Sequence, residues 1–164
     1  MPPPPAAEAH TSPTPRLPRT PPIRYNARMW TKLDHVGIAV QALAASIPGF
    51  EAALGVRATP PEEVADQKVR VVFLKTGEAG VELLESTSPD GPIGKFVAKR
   101  GEGIHHMSFL VDDLEAALQR CRDAGIALID ETPRQGAEGK RIAFLHPKST
   151  NGVLIELAEE SHSS

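Results

Sequence analysis

Leu33-Asp34-His35-Val36-Gly37-Ile38-Ala39-Val40 returns later in the chain as Ile104-His105-His106-Met107-Ser108-Phe109-Leu110-Val111. A second stretch repeats with it. Val81-Glu82-Leu83-Leu84-Glu85 is matched by Ile155-Glu156-Leu157-Ala158-Glu159, led in by Leu154. Each half therefore runs from a His on one strand to a Glu on a later strand. His35 precedes Glu82 by 47 residues, and His106 precedes Glu156 by 50. Two His and two Glu at matching places of a duplicated module point to one shared metal site where the halves join.

Strand phase supports that reading. Side chains on a strand alternate between faces, so His35, Gly37 and Ala39 share one face, and Val36, Ile38 and Val40 the other. In the second half, His106, Ser108 and Leu110 oppose Met107, Phe109 and Val111. The His faces carry mostly small residues, which leaves room for a cavity. The opposite faces suit packing under helices. Glu82 and Glu156 are each out of phase with their apolar neighbours, and a carboxylate on an apolar strand is costly unless paired or bound to a cation. Taken singly, a His at a strand start is usually structural and a Glu on an edge strand usually faces water. The repeat requires that accident twice in register. Two His and two carboxylates suit a borderline or hard divalent ion, and an octahedral arrangement leaves two positions for substrate or water.

Around these stretches the chain reads as two β-α-β-β-β modules, an α+β architecture. The first spans about 32–88: strand Leu33–Val40, helix Leu43–Leu54 ended by Gly55, a short strand Val56–Thr59, then strands Val69–Lys75 and Val81–Ser86. A linking helix covers about 92–100. The second module spans about 103–159: strand Ile104–Val111, helix Asp113–Ala124 ended by Gly125, a short strand Ala127–Asp130, then strands Arg141–His146 and Val153–Glu159. Asp112 or Asp113 can cap the second helix, and Glu115 adds a favourable charge in its first turn. Leu114, Ala117, Leu118 and Cys121 make one apolar stripe at helical spacing, so Cys121 reads as a core residue.

Composition bounds the rest. The 164 residues suffice for one domain or two small modules sharing a core. A net charge of -3, from 18 basic and 21 acidic residues, is no nucleic-acid footprint, and aromatics at 4% offer few base-stacking platforms. No apolar run has the length of a membrane span, and the first thirty residues lack the apolar run of a secretory signal. A single cysteine cannot form an internal disulfide, which suits a cytoplasmic setting. Residues 1–28 hold nine of the sixteen prolines, with four Arg against the one acid Glu8. That segment is expected to be a disordered, proline-rich tail ahead of a domain at 29–164, with the functional chain beginning at Met29. A transit peptide and a proline-rich docking motif are the other readings. The prolines oppose the amphipathic helix of the former.

With these residues in place, the chain resembles the vicinal oxygen chelate superfamily, the glyoxalase-like fold, and within it the methylmalonyl-CoA epimerases. The likeness covers roughly Lys32 to Glu159. It rests on the two His strands, on Val81-Glu82-Leu83-Leu84-Glu85, and above all on Phe144-Leu145-His146-Pro147-Lys148 followed by Asn151-Gly152-Val153-Leu154-Ile155-Glu156-Leu157. The resemblance implies a homodimeric isomerase of propionate metabolism that interconverts (2R)- and (2S)-methylmalonyl-CoA by metal-assisted proton transfer through an enolate. It makes His35, Glu82, His106 and Glu156 the ligands of one divalent ion of the cobalt, manganese, nickel or zinc class. Glu156 is the first choice for a ligand that doubles as acid/base, with Glu82 as its partner. Some epimerases carry Gln where Glu82 stands. Others use an extra glutamate on the strand matching Val69–Lys75, where this chain has Val71, and neither Val71 nor nearby Gln67 can accept a proton as a base.

Three other functions are compatible with that fold. A glyoxalase I-type isomerase uses a similar four-ligand site. A non-catalytic small-molecule-binding resistance protein needs no acid/base pair, so the two Glu count against it. A ring-cleaving dioxygenase generally uses two His and one carboxylate around iron. His105 is expected on the sheet face opposite His106, as a core residue or a support for that ring. His146, at a strand end, is a weak candidate for substrate contact. Lys140, Arg141, Lys148, Lys95, Lys99 and Arg100 form either a patch for the CoA phosphates or ordinary solvated surface.

Overall fold

A computed structural model describes residues 31–161; the proline-rich segment 1–28 and the start at Met29 lie outside the described residues. The first module comprises β1 (Thr31–Val40), α1 (Leu43–Leu54), β2 (Glu62–Val64), β3 (Val69–Thr76) and β4 (Ala79–Ser86). A linking helix, α2 (Pro92–Arg100), leads to the second: β5 (Gly103–Val111), α3 (Leu114–Asp123), β6 (Arg134–Gln135), β7 (Arg141–Leu145) and β8 (Ile155–Glu159). The strands form one mixed sheet in the order β2-β3-β4-β1-β5-β8-β7-β6. Read from the centre outward, the two halves repeat each other: β1 matches β5, β4 matches β8, β3 matches β7 and β2 matches β6. The modules meet where β1 and β5 pair antiparallel, while β1–β4 and β5–β8 pair parallel.

Each half packs apolar side chains on both sheet faces. Under α1, Val40, Leu43, Val72, Leu74 and Leu83 form a core, and under α3 so do Val111, Leu114, Leu118, Leu145 and Leu157. The other faces turn inward together, carrying Val69, Val71, Phe73 and Leu84 from the first half and Leu110, Ile142 and Phe144 from the second. Cys121 packs at the edge of the α3 core and is only partly buried.

The repeat also positions the helices. Glu85 Oε2 accepts the Leu43 N–H at the start of α1 (2.6 Å), and Glu159 Oε1 accepts the Leu114 N–H at the start of α3 (3.1 Å). Both carboxylates are held from the equivalent strand, Glu85 by Arg70 (3.0 Å) and Glu159 by Arg141 (2.9 Å). A carboxylate on the free N–H groups of a helix start satisfies orphan donors and complements the helix dipole. Asp113 adds an N-cap to α3 through the Ala116 N–H.

Three expected strand limits shift. Val56–Thr59 makes only an isolated bridge, Ala58 with Leu74, and the regular short strand is Glu62–Val64 beyond Pro60-Pro61. Thr59 binds Phe73 through both its own N–H and its hydroxyl, so side-chain bonding replaces a ladder. Likewise Ala127–Asp130 keeps one bridge, Leu128 with Leu145, because the Asp130 carboxylate accepts the Phe144 N–H; the strand falls at Arg134–Gln135. The last strand starts at Ile155 rather than Val153, since Asn151 (φ 53) and Gly152 (φ 85) make a turn and the Thr150 hydroxyl holds the Val153 carbonyl.

Candidate metal centre and active site

Two rows of side chains cross the sheet at the module junction. Gly37 on β1 pairs with Glu82 on β4 and with His106 on β5. Ser108 on β5 pairs with His35 on β1 and Glu156 on β8. Each row is thus Glu, small residue, His, and Gly37 and Ser108 occupy equivalent places two residues after each His. The small central residue matters sterically: a Cβ at Gly37 would collide with the His106 ring.

The structure brings all four sequence-derived candidates together. His35, Glu82, His106 and Glu156 are buried, at 2–6% exposure. The Nε2 atoms of His35 and His106 approach to 3.2 Å, and Glu82 Oε2 lies 3.3 Å from the first and 3.4 Å from the second. Glu156 Oε1 is 3.9 Å from His35 Nε2, and ligand atoms of His35, His106 and Glu156 all lie within 4.8 Å of one another. Two imidazole nitrogens that bind one ion at about 2.1 Å, at roughly a right angle, stand about 3 Å apart. The donor set therefore fits a divalent cation. Its charge balance fits as well, because two buried carboxylates call for positive charge between them.

The environment drives the two carboxylates apart. Burial pushes Glu82 upward, but hydrogen bonding and charge from His106 and His35 outweigh it and hold the carboxyl well below the usual range. Burial raises Glu156, and the nearby Glu82 charge adds to this against the pull of His106, His35 and the Ser108 hydroxyl. Ser108 Oγ donates to Glu156 Oε1 at 2.7 Å, while Gly37 offers Glu82 nothing comparable. Burial lowers His35, yet hydrogen bonds to Asp34 and Glu82 and the charges of both Glu lift it to about 10.

A cavity of about 230 Å³ opens over this cluster. Its walls include Val64, Val69, Val71, Leu84, Ile93 and Ile142. Val71, the position of the extra glutamate in some epimerases, is almost fully buried and faces the cavity as a hydrocarbon wall. Asp66 and Gln67 also line it. Of the basic residues proposed for CoA, Lys140 lines the cavity but is engaged with Asp34, at 3.1 and 3.0 Å to its two oxygens. Arg141 is taken up by Glu115 and Glu159. Arg134, unremarked in the sequence, also lines the cavity. It lies over the Phe144 ring, and its Nε is 3.4 Å from Asp130 Oδ1 without a hydrogen bond. Only its place on the two-residue β6, hidden by the misplaced strand, signals that role. His146 is exposed and accepts the Lys148 N–H to close a short turn, outside the cavity lining.

His105 departs from the expected alternation. Between Gly37–His106 and Ile38–Ile104 the register shifts, so His105 is an extra, bulged residue of β5. A bulge re-aims a side chain, and His105 lines the same cavity as His106 instead of the opposite face. Its ring is lowered to about 4 by burial and by the His106 charge.

A duplicated mixed sheet around a buried His/Glu set that could hold a metal ion defines a class of small α+β proteins. The glyoxalase/bleomycin resistance protein/dioxygenase superfamily matches residues 34–144. The chain is 44% identical to the Bacillus subtilis (strain 168) protein YqjC over 78% of its own length and 91% of that protein. It is 38% identical to the mitochondrial methylmalonyl-CoA epimerase of Dictyostelium discoideum, over 79% of this chain and 78% of that one. A Streptomyces coelicolor methylmalonyl-CoA epimerase variant in complex with 2-nitronate-propionyl-CoA superposes with a TM-score of 0.77 at 37% identity, covering 81% and 96%. The chain belongs to the glyoxalase/bleomycin resistance protein/dioxygenase superfamily and, within it, to the methylmalonyl-CoA epimerase family.

Proposed function

We propose that this protein is a methylmalonyl-CoA epimerase, and that His35, Glu82, His106 and Glu156 hold one divalent ion of the cobalt, manganese, nickel or zinc class. The observation that carries the reading is the convergence of two buried imidazoles and two buried carboxylates from four strands, in a chain of this family. When bound, the ion supplies Lewis acidity that stabilises negative charge on a substrate carbonyl oxygen.

The protein's own groups supply the rest. The substrate carries one acidic C–H between a carboxylate and a thioester carbonyl. Glu156, whose burial raises its proton affinity, takes the C2 proton onto its carboxylate and leaves an enolate spread over the thioester. Ser108 Oγ holds Glu156 Oε1, which limits rotation of the base. Inversion requires a second group on the other face, and Glu82, from the other module, is assigned that place: with one carboxyl protonated and the other ionised, the ionised one removes the C2 proton as the protonated one delivers its own, and the reverse reaction exchanges the two roles. Two carboxylates driven apart by environment is the pattern expected of an acid and a base sharing one site. Val64, Val69, Val71 and Leu84 keep water from the reacting carbon and leave room for its alkyl group.

A cytoplasmic homodimer belongs to the same reading. Among the described residues no helix is long and apolar enough to cross a membrane. Exposed Ile104 and Val153 offer apolar surface for contact between copies. The test is a coupled epimerase assay on metal-stripped protein, with divalent ions returned one at a time and methylglyoxal plus glutathione as the competing substrate. Ion-dependent turnover of methylmalonyl-CoA is expected. Turnover of the hemithioacetal alone would assign a glyoxalase I-type isomerase instead.

A further inference from the structure

The β1–β5 seam contains two register shifts, and they obey the module symmetry. From Leu33–Phe109 to His35–Ser108 the extra residue is Asp34; from Gly37–His106 to Ile38–Ile104 it is His105. Each bulged residue immediately precedes a candidate ligand His. Each contacts that imidazole on the nitrogen facing away from the cluster. Asp34 Oδ2 lies 2.8 Å from His35 Nδ1, and His105 Nδ1 lies 3.0 Å from His106 Nδ1. The bulges thus perform one task twice with different chemistry. Asp34 presents a carboxylate, itself tied to Lys140. His105 presents a ring steadied by the edge of Phe96 on α2, at a centroid distance of 4.9 Å and an angle of 82°.

We propose that His105 is a positioning residue that accepts the His106 Nδ1 proton and so leaves the His106 Nε2 lone pair free for the ion. This rests on the metal-site reading above. Only one of the two proton arrangements in the His105–His106 bond is compatible with it. If His105 donated instead, His106 would carry its proton on Nε2, 3.4 Å from Glu82 Oε2, and could not bind through that atom. Hydrogen bonds to the far nitrogen of a ligating His fix its tautomer and ring angle, and losing them costs about 10- to 100-fold in metal affinity. The linking helix therefore contributes to the site through the Phe96 ring packed on His105 of β5, although it supplies no ligand.

The test measures binding of Co²⁺ by titration calorimetry to the metal-stripped full chain. His105→Phe keeps the ring volume but removes the acceptor, and is expected to weaken binding by about 10- to 100-fold. His105→Asn retains an acceptor and is expected to restore most of that loss. Circular dichroism and thermal unfolding report whether each variant folds. Independently of any variant, nitrogen-15 spectra of histidine in Zn²⁺-loaded wild type are expected to show His106 protonated at Nδ1 and His105 unprotonated there. Equal Co²⁺ affinity of wild type and His105→Phe, equal loss in the Phe and Asn variants, or a His105 ring protonated at Nδ1 would each overturn the proposal alone. Wild type that binds no divalent ion would overturn the metal reading and this proposal with it.

Discussion

At the scale of single residues, the site depends on what stands between each His and its Glu. Gly37 leaves the space that the His106 ring fills. Gly37→Ala is expected to displace that ring, costing about 1–3 kcal/mol of stability as overpacking does. It should also weaken divalent-ion binding at least about tenfold, read by calorimetry; unchanged affinity would mean that His106 is not a ligand. Glu156→Gln keeps the shape and the Ser108 partner but removes the base, so epimerisation should fall by about 10²–10⁴-fold while the fold persists. Near-normal turnover in that variant would remove Glu156 from proton transfer. The four candidate ligands were legible because duplication shows a functional residue twice. The face of His105 and the contact made by Asp34 were not, because a bulge breaks the period of two that places side chains on faces, and nothing in a strand's composition marks where the extra residue falls.

Among elements, the less obvious part of the repeat is structural. The second Glu of each repeated stretch, Glu85 and Glu159, anchors the helix of its own module and is anchored by an Arg from the neighbouring strand. Glu159→Ala should cost about 1–2 kcal/mol by freeing the start of α3. Chemical denaturation measures this, and epimerase turnover per folded molecule should not change. On the same helix, burial raises the Cys121 thiol above its ordinary 9.0, against the pull of Arg120 and Arg122. At pH 8 the folded protein then holds less thiolate than a free thiol, so iodoacetamide should react more slowly than with unfolded chain. The resulting contribution to stability is full below about 9 and is lost as pH rises through the higher folded value. Alkylation at the rate of unfolded protein would show an open helix face. Helices were legible from apolar spacing and glycine stops, and α1 falls at Leu43–Leu54 as read. The short outer strands were not, because Thr59 and Asp130 replace backbone pairing with side-chain bonds that pattern alone does not distinguish from strand.

For the whole molecule, one duplication explains the sheet order, the seam and the convergence of four ligand candidates from four strands. The same symmetry leaves a difference that chemistry can use. Burial and the neighbouring Glu82 charge raise Glu156 despite its Ser108 hydrogen bond, while the two imidazoles beside Glu82 hold it down, so equivalent carboxylates shift in opposite directions. That inequality was invisible in the sequence, where both read simply as Glu on an apolar strand. The most direct measurement follows the C2 hydrogen of methylmalonyl-CoA by proton NMR in D₂O, with protein loaded with each divalent ion in turn. Ion-loaded wild type should interconvert the epimers and exchange the C2 hydrogen for deuterium, with both lost in Glu156→Gln. A wild type that leaves the C2 hydrogen and the epimer ratio unchanged with every ion would contradict the assignment.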